Sequence, residues 1–401
     1  MDKKKKLFSI VDSLREVLCN VSDYIYDNPE LGNQEYKAVE KITSTLREYN
    51  FEIEKEIAGL DTAFIATYKN GSGGPTIGLL CEYDALKDLG HGCGHNLQSA
   101  AVIGAAVALS KQLRDLPATI QVIGTPAEES TSGKIPMTKQ GYFDHLDVAL
   151  MMHGGDRTTV DGKSLAADSF EFEFYGKESH AAVAPEQGIS ALDGVLMTFN
   201  GMEYLREHVR SDVRIHGIIS DGGKAPNIVP KRAAAKFSIR AADRNYLNQV
   251  VERALNVVKG AAIATGTELK IHKHKSLENK LNVQSLNEIL LDNAYLSGAK
   301  NITPPREKTG STDFSIVTHR VPGSCIRMAF VPYGTSNHTM EWVKASKSEE
   351  GYDAIISAAK TLSGSCFDLI NSPDLLYKVK SEFDSVKRSQ ISTNEKLSTA
   401  N

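Results

Sequence analysis

A chain of 401 residues, 41% of them hydrophobic, is long enough for two or three domains with cores of their own. Its net charge of −4 lacks the basic excess typical of nucleic-acid-binding proteins. No run approaches the roughly eighteen uninterrupted apolar residues that a membrane span needs. The amino terminus lacks the apolar run of a secretory signal, and the five cysteines show no disulfide-framework spacing. We therefore expect a cytoplasmic protein without nucleic-acid or membrane partners.

The first part of the chain alternates helical patterns with apolar strand patterns. The predicted elements are helices over 7–26, 34–49 and 97–113 and strands over 63–68, 76–81, 118–124 and 148–152. We expect Asn96 to cap the third helix. Three strands end in polar residues, namely Glu82 to Asp84, Glu128 with Glu129, and His153. Because open α/β sheets place ligand sites at the carboxyl ends of their strands, these ends indicate a site.

From about residue 164 the pattern changes to half-exposed strands and amphipathic helices. The predicted elements are strands over 170–175, 214–220, 233–241 and 267–275 and helices over 190–209 and 246–264. Their order, β-α-β-β-α-β, is that of a ferredoxin-like unit. Patterns of the first type resume after residue 280. We therefore predict an inserted domain over 166–278 within a larger domain built from 1–165 and 279–401.

The loop after the second strand contains the pair Cys93 and His95, separated by Gly94. Residues i and i+2 of an extended segment point to the same side, so the thiolate and the imidazole can converge on one point. Soft sulfur plus imidazole is a zinc-type ligand pair. Taken alone, the pair has an alternative interpretation, in which the cysteine and the histidine are close in sequence by chance and bind no metal.

Further candidate ligands follow the strands. Glu128 and Glu129 permit a division of labour, with one carboxylate on metal and the other taking a proton, although a solvated acidic pair is the plainer alternative. His153 and His338 are candidate imidazole ligands, with structural and surface roles as alternatives. Asp84 can orient a ligand histidine from behind or cap a turn.

The candidates form a set that suits two ions better than one, since bridging water completes their coordination. The set consists of Cys93, His95, Glu129, His153 and His338. A rival hypothesis makes Cys93 a nucleophile with His95 as its base. Inactivation by an alkylating agent would favour this hypothesis, whereas inactivation by a chelator would favour metal binding. The nucleophile hypothesis leaves the glutamate pair unexplained. A second rival is a catalytically inactive relative that binds metal or peptide.

Several motifs occur together and in order over nearly the whole chain. They are Asn28-Pro29-Glu30-Leu31-Gly32, Glu82-Tyr83-Asp84-Ala85-Leu86, His91-Gly92-Cys93-Gly94-His95-Asn96, Gly124-Thr125-Pro126-Ala127-Glu128-Glu129, Gly176-Lys177-Glu178-Ser179-His180, Pro226-Asn227-Ile228-Val229-Pro230 and Gly310-Ser311-Thr312-Asp313. In these motifs the chain resembles the dinuclear-metal aminoacylase/carboxypeptidase family of metallopeptidases, in its amidohydrolase branch. Within that branch it is similar to p-aminobenzoyl-glutamate hydrolase and β-alanyl-lysine-type dipeptidases.

The resemblance implies an α/β fold, with a mixed-sheet catalytic domain carrying helices on both faces and an inserted ferredoxin-like lid and dimerisation domain. It implies two divalent ions, zinc first and manganese as the alternative, held by the five candidate ligands. The implied reaction is amide hydrolysis of an N-acyl amino acid or small dipeptide by a metal-activated water, with Glu128 as general base. A p-aminobenzoyl-glutamate-type hydrolase is the alternative.

The resemblance also assigns residues of the inserted domain. His216 matches a histidine that reaches the substrate carbonyl across a homodimer, and Asn227 and Arg240 match positions that bind the substrate carboxylate. An exposed strand arginine is the alternative for Arg240. The chain departs from many members of the branch at Asn96 and Gln98, where those members have Asp and His. This departure leaves the five ligands intact and weakens any transfer of auxin-conjugate or hippurate specificity.

Overall fold

The computed structural model describes residues 2–160, 162–306 and 309–398, and the chain forms two compact units. Unit 1 consists of Met1–Lys163, Lys280–Thr309 and Asp313–Asn401, and unit 2 of Ser164–Asn279 with Gly310–Thr312.

The elements follow one another in three blocks. Unit 1 begins with α1 (Asp2–Ser13), α2 (Arg15–Asp27), α3 (Tyr36–Glu48), β1 (Glu52–Lys55), β2 (Phe64–Asn70), β3 (Thr76–Cys81), α4 (His95–Gln112), β4 (Ala118–Gly124), α5 (Lys134–Lys139), β5 (Val148–Gly155) and β6 (Thr159–Val160). Unit 2 contains β7 (Ala166–Tyr175), α6 (Ala191–Arg206), β8 (Arg214–Asp221), β9 (Arg232–Ala241), α7 (Arg244–Thr265) and β10 (Glu268–Leu277). Unit 1 then resumes with α8 (Gln284–Ser297), α9 (Phe314–Thr318), β11 (Gly323–Ala329), α10 (Met340–Ala345), α11 (Glu349–Asn371) and α12 (Pro373–Ser398).

Unit 1 is built around a seven-stranded sheet in the order β1-β2-β4-β3-β5-β11-β6. Strand β3 pairs in parallel with both β4 and β5, and β11 pairs in parallel with β5. The outer pairs β1–β2, β2–β4 and β11–β6 are antiparallel. The predicted α/β class with a mixed sheet is therefore confirmed.

Helices cover both faces of this sheet because successive strand residues point to opposite sides. Leu79 of β3 belongs to a core shared with α1, α2, α4, α8 and α11, whereas its neighbour Leu80 belongs to a second core with Met137 of α5 and Phe314 of α9. The near-continuous apolar character of β3 follows from this burial on two sides.

The parallel arrangement positions the candidate site. Strands β3, β4, β5 and β11 run in one direction, so their carboxyl ends lie at one edge of the sheet. The segments that follow β3 and β4, the end of β5 and the loop after β11 are therefore brought to that edge. All five predicted ligands lie in these four places.

Unit 2 is a four-stranded antiparallel sheet in the order β10-β7-β9-β8, with the chain order β7-α6-β8-β9-α7-β10. Helices α6 and α7 pack on one face, where Phe172, Phe237 and Ile239 lie in a core of their own. Strand β8 forms one edge of the sheet.

Two local expectations differ from the structure. The helix expected over 7–26 is interrupted at Leu14, which separates α1 from α2. Asn96 is not the N-cap of α4, because the helix begins at His95, two residues before the expected start, after Gly94 with φ +76°. The buried Asn96 amide instead donates hydrogen bonds to Ser22 Oγ (2.9 Å) and to the carbonyl of Ser346 (3.2 Å). None of the described helices combines the length and apolar character that a bilayer crossing requires.

Candidate metal centre

The loop that carries Cys93 is closely packed against the loop that carries His338. The His338 amide donates to the Gly92 carbonyl at 3.0 Å, and a Cβ on Gly92 would lie 3.4 Å from His338 Cα. Gly94 has φ +76°, a conformation that side-chain-bearing residues avoid. With both loops fixed in this way, Cys93 Sγ lies 2.9 Å from His338 Nε2.

The predicted ligands come together in three groups, in each of which the ligand atoms lie within 4.8 Å of one another. The groups are Cys93 with His95 and His153, Cys93 with Glu129 and His338, and His95 with Glu128 and Glu129. Cys93, His95 and Glu129 each belong to two of these groups. Overlapping sets of donors of this kind would suit two ions better than one.

The hydrogen bonds of the candidate ligands also leave donor atoms available for a metal ion. Nδ1 of His95 contacts the Asp84 carbonyl at 2.9 Å and Asp84 Oδ1 at 3.2 Å, which directs Nε2 to the opposite side. His95 Nε2 and Glu129 Oε1 are buried and have no well-formed hydrogen bond among the described residues. Their neighbours Glu82 Oε2 and His338 Nε2 each lie 3.4 Å away. A buried polar atom without a partner costs about 1–3 kcal/mol, a cost that a coordinated cation removes.

Asp84 joins two of the candidate ligands. Its Oδ1 lies 3.2 Å from His95 Nδ1, and its Oδ2 accepts a hydrogen bond from the Glu129 amide at 3.0 Å. The same carboxylate therefore orients the imidazole and fixes the backbone of the glutamate pair.

The charges around the other ligands differ. Although removal from water opposes it, contact with His338 and the charge of His95 hold the pKa of Glu129 at about 2. Burial, followed by the Arg327 guanidinium, lowers the pKa of His153 to about 4. In the metal-free chain Glu129 is therefore held ionised and His153 neutral.

Burial, followed by the charge of Glu129, raises the pKa of Cys93. Although burial opposes it, contact with Asp84 raises the pKa of His95. These two donors would therefore release a proton on binding metal.

A second buried cluster adjoins these ligands. Lys134 is fully buried, and its Nζ donates to Glu82 Oε1 at 2.5 Å and to Asp313 Oδ1 at 2.8 Å. No role had been predicted for these three residues from the sequence. The position of Glu82 directly after β3 was a signal for it, and Asp313 ends a quoted motif, whereas nothing in the sequence distinguished Lys134 from other lysines.

Glu128 lies between the two clusters. Its carboxylate belongs to a group with His95 and Glu129 and also to a group with Glu82 and Asp313, each within 4.8 Å. Removal from water, followed by the charges of Asp313 and Glu82, raises the pKa of Glu128 well above its ordinary value. A raised pKa brings a carboxylate toward the range in which general bases work.

Gln98 has a defined place in this arrangement. Its amide nitrogen donates to Glu82 Oε2 (2.9 Å) and to the Met152 carbonyl (2.6 Å), and its amide oxygen accepts from the Glu82 amide (2.5 Å). Gln98 thus supports both the side chain and the backbone amide of Glu82.

The remaining predicted site residues belong to unit 2. His216 lies opposite Ser238 in the β8–β9 pair, and Arg240 Nε donates to Ser238 Oγ at 3.3 Å. These positions alternate with the core residues Phe237 and Ile239, so they lie on the face of the sheet opposite the helices. Asn227 is exposed in the segment before β9.

Comparisons with known proteins cover nearly the whole chain. The sequence profile of Peptidase family M20/M25/M40 matches residues 74–361. The chain is 32% identical to a Xaa-Arg dipeptidase of Mus musculus, over 95% of this chain and 92% of that protein. It is 27% identical to one of the subunits of p-aminobenzoyl-glutamate hydrolase of Escherichia coli, over 95% and 94% of the two chains. A solved structure of a dinuclear metal-binding peptidase of the M20 family from Bacillus subtilis has a similar fold, with a TM-score of 0.68, 20% identity and coverage of 89% and 99% of the two chains.

Proposed function

The chain belongs to Peptidase family M20/M25/M40, and on that premise we propose that it hydrolyses the amide bond of an N-acyl amino acid or a small dipeptide, with Glu128 as general base. The family predicted from the motifs and the metallo-amidohydrolase class are confirmed by these matches. The observation that carries the assignment of the base is the position of Glu128, which adjoins both the candidate ligands and the Lys134 cluster.

We propose that two divalent ions bind to Cys93, His95, Glu129, His153 and His338. Thiolate and imidazole donors favour zinc, and the carboxylate also accepts manganese. When bound, such ions lower the pKa of water to about 7 and polarise a carbonyl.

The residues of the chain divide the proton chemistry between them. Glu129 forms a group with Cys93 and His338, whereas Glu128 forms one with Glu82 and Asp313. Both glutamates also lie near His95. Glu128 takes a proton from the attacking water and delivers it to the leaving nitrogen. Burial supports this task because it keeps the carboxylate in a low-dielectric environment, where its affinity for the proton is higher.

Unit 2 supplies the proposed contacts to the substrate. We assign His216 to the developing oxyanion, a contact worth about 2.7–4 kcal/mol in other enzymes. Asn227 and Arg240 are assigned to a substrate carboxylate. The names of the two relatives, a Xaa-Arg dipeptidase and a p-aminobenzoyl-glutamate hydrolase, both describe amides of amino acids with a carboxylate at that end. A p-aminobenzoyl-glutamate-type hydrolase is therefore the second candidate.

A homodimer through unit 2 is part of the proposal. Strand β8 is a sheet edge that carries exposed Ile218 and Ile219 next to His216. Edge strands with exposed apolar side chains readily pair with another chain. His216 of one protomer would then serve the site of the other. We also propose a cytoplasmic location, supported by the small and odd number of cysteines.

The test compares two variants with opposite expectations. Glu128→Gln should retain the metal content of the wild type and lose turnover, whereas Cys93→Ala should lose metal and activity together. Metal is measured by elemental analysis after loading with zinc or manganese. Turnover is measured by mass spectrometry on N-acyl amino acids, dipeptides and p-aminobenzoyl-glutamate, with and without chelator.

Each outcome has a distinct meaning. Turnover by Glu128→Gln contradicts the base assignment, and full metal loading of Cys93→Ala removes that residue from the ligand set. Absence of turnover by the metal-loaded wild type across the panel would favour the catalytically inactive relative.

A further inference from the structure

Glu35 is a fully buried carboxylate whose role is not explained by its own helix. It precedes α3 at the N-cap position, yet its side chain makes no capping hydrogen bond. The carboxylate of Glu30 instead accepts the amides of Lys37 and Ala38 in the first turn of α3. The side chain of Glu35 therefore does not serve the local helix, and its burial requires another reason.

The partners of Glu35 lie far away in the sequence. Its Oε1 accepts a hydrogen bond from the Ala127 amide at 2.8 Å, and its Oε2 accepts one from Thr62 Oγ1 at 2.7 Å. Both bonds are buried. A carboxylate held at both oxygens is fixed in position and can in turn fix the backbone that it contacts.

Ala127 immediately precedes the glutamate pair and has an unusual conformation. Its φ is +60°, in the left-handed region that an alanine adopts only when its surroundings impose it. The Ala127 carbonyl accepts hydrogen bonds from the amides of Ser130 (3.2 Å) and Ser132 (2.7 Å). This turn sets the direction in which Glu128 and Glu129 leave strand β4.

The motif beginning at Asn28 packs directly on this turn. A Cβ on Gly32 would lie 2.8 Å from Ala127 Cα and 2.4 Å from Ser130 Oγ, so only glycine permits the approach. Asn33 Nδ2 donates to Thr131 Oγ1 at 2.9 Å. The segment from residue 28 to residue 35 is thus a support for the turn that carries both glutamates.

We propose that Glu35 is a positioning residue that holds the left-handed turn at Ala127 and thereby aims Glu128 at the substrate and Glu129 at the metal. For Glu128 this inference rests on the proposed function, whereas for Glu129 it requires only metal binding. Loss of the Glu35 carboxylate leaves the buried Ala127 amide without its acceptor. The turn then relaxes toward a conformation in which this amide finds another hydrogen-bond partner. A displacement of about 1 Å at a reacting group lowers rates by about 100-fold.

The experiment uses the full-length chain with two substitutions at one position. Glu35→Met removes both acceptors at similar volume. Glu35→Gln keeps an oxygen for the Ala127 amide and a nitrogen that can donate to the Thr62 hydroxyl. The matched control is Glu382→Met, since Glu382 accepts the amides of Gln284 (2.7 Å) and Ser285 (3.0 Å) elsewhere in unit 1. Zinc affinity by chelator competition, kcat, KM and the unfolding midpoint are measured for each.

Glu35→Met should lower kcat by about 10- to 100-fold with little change in KM, and should weaken zinc affinity at least about fivefold. Glu35→Gln should restore both to within about threefold, and Glu382→Met should change only the unfolding midpoint. A folded Glu35→Met with unchanged kcat and zinc affinity overturns the proposal, as do equal losses in Glu35→Gln.

If Glu35→Met does not fold, Thr62→Val takes its place. It removes one anchor of the carboxylate and should lower kcat and zinc affinity measurably, and unchanged values overturn the proposal. Zinc affinity is also measured in a Glu128→Gln background, where no turnover is needed. Activity of Glu128→Gln therefore contradicts only the proposed function. A zinc affinity that Glu35→Met or Thr62→Val leaves unchanged in this background contradicts only the role of Glu35.

Discussion

The buried Lys134 is a residue of unit 1 whose substitution should strongly lower stability. Lys134→Met keeps an unbranched side chain of similar length and removes the ammonium from between Glu82 and Asp313. The three side chains are 0%, 1% and 0% exposed, so water cannot replace the lost charge. Removal of one partner from such a buried group costs about 3–5 kcal/mol. That is a large part of the about 5–15 kcal/mol by which a domain is stable.

The assay is urea unfolding followed by the fluorescence of Trp342, the only tryptophan of the chain. Trp342 is buried in unit 1 and packs edge-on against Phe330, with ring centroids 4.9 Å apart, so its emission reports on this unit. Chelator is present throughout, because bound metal would add to the stability of the folded state. The control is Lys55→Met, whose partner Glu40 lies at 2.6 Å and is 63% exposed, and which should cost less than about 1 kcal/mol.

A second substitution separates charge from packing. In the Lys134→Met background, Asp313→Asn should cost less than it does alone, because the carboxylate has then already lost the charge of Lys134. A cost for Lys134→Met no larger than that of Lys55→Met, or strictly additive costs for Lys134→Met and Asp313→Asn, would refute the reasoning.

Two further predictions concern unit 2. Although burial opposes it, the hydrogen bonds from Arg244 and Ser276 keep the pKa of Asp168 below its ordinary value. A pKa that is lower in the folded state stabilises the fold at pH values above the unfolded pKa near 4. This stability is lost as the pH falls through the folded-state pKa. Asp168→Asn should therefore flatten the loss of thermal stability below about pH 4, and an unchanged acid slope would contradict this cause. Ile218→Lys should convert the proposed dimer to monomer in sedimentation experiments, because a lysine on an edge strand opposes pairing, whereas the control Ile263→Lys, at an exposed position on α7, should not. A dimer that persists in Ile218→Lys places the interface elsewhere.

The sequence predicted several elements closely because the signals are local. The strands at 76–81 and 118–124 have the predicted bounds, since each is an apolar run ended by polar residues. The burial of β3 on both faces follows from the same residues, whereas β4 is buried on both faces only in its last three residues. The start of α4 was misplaced by two residues. The N-cap is Gly94 with its left-handed backbone, whereas the sequence favoured the asparagine two positions later as the cap.

The sequence alone determined the fold class, the family and the residue types able to hold metal, since these are written in periodicity and in motifs of short spacing. Only the tertiary structure decided which distant groups share a neighbourhood. Lys134 meets Glu82 across 52 positions and Asp313 across 179, and Glu35 meets Ala127 across 92. No local pattern encodes such contacts, because they arise where parallel strands and the loops beside them are brought to one edge of the sheet. Burial then gives these charges and hydrogen bonds their strength.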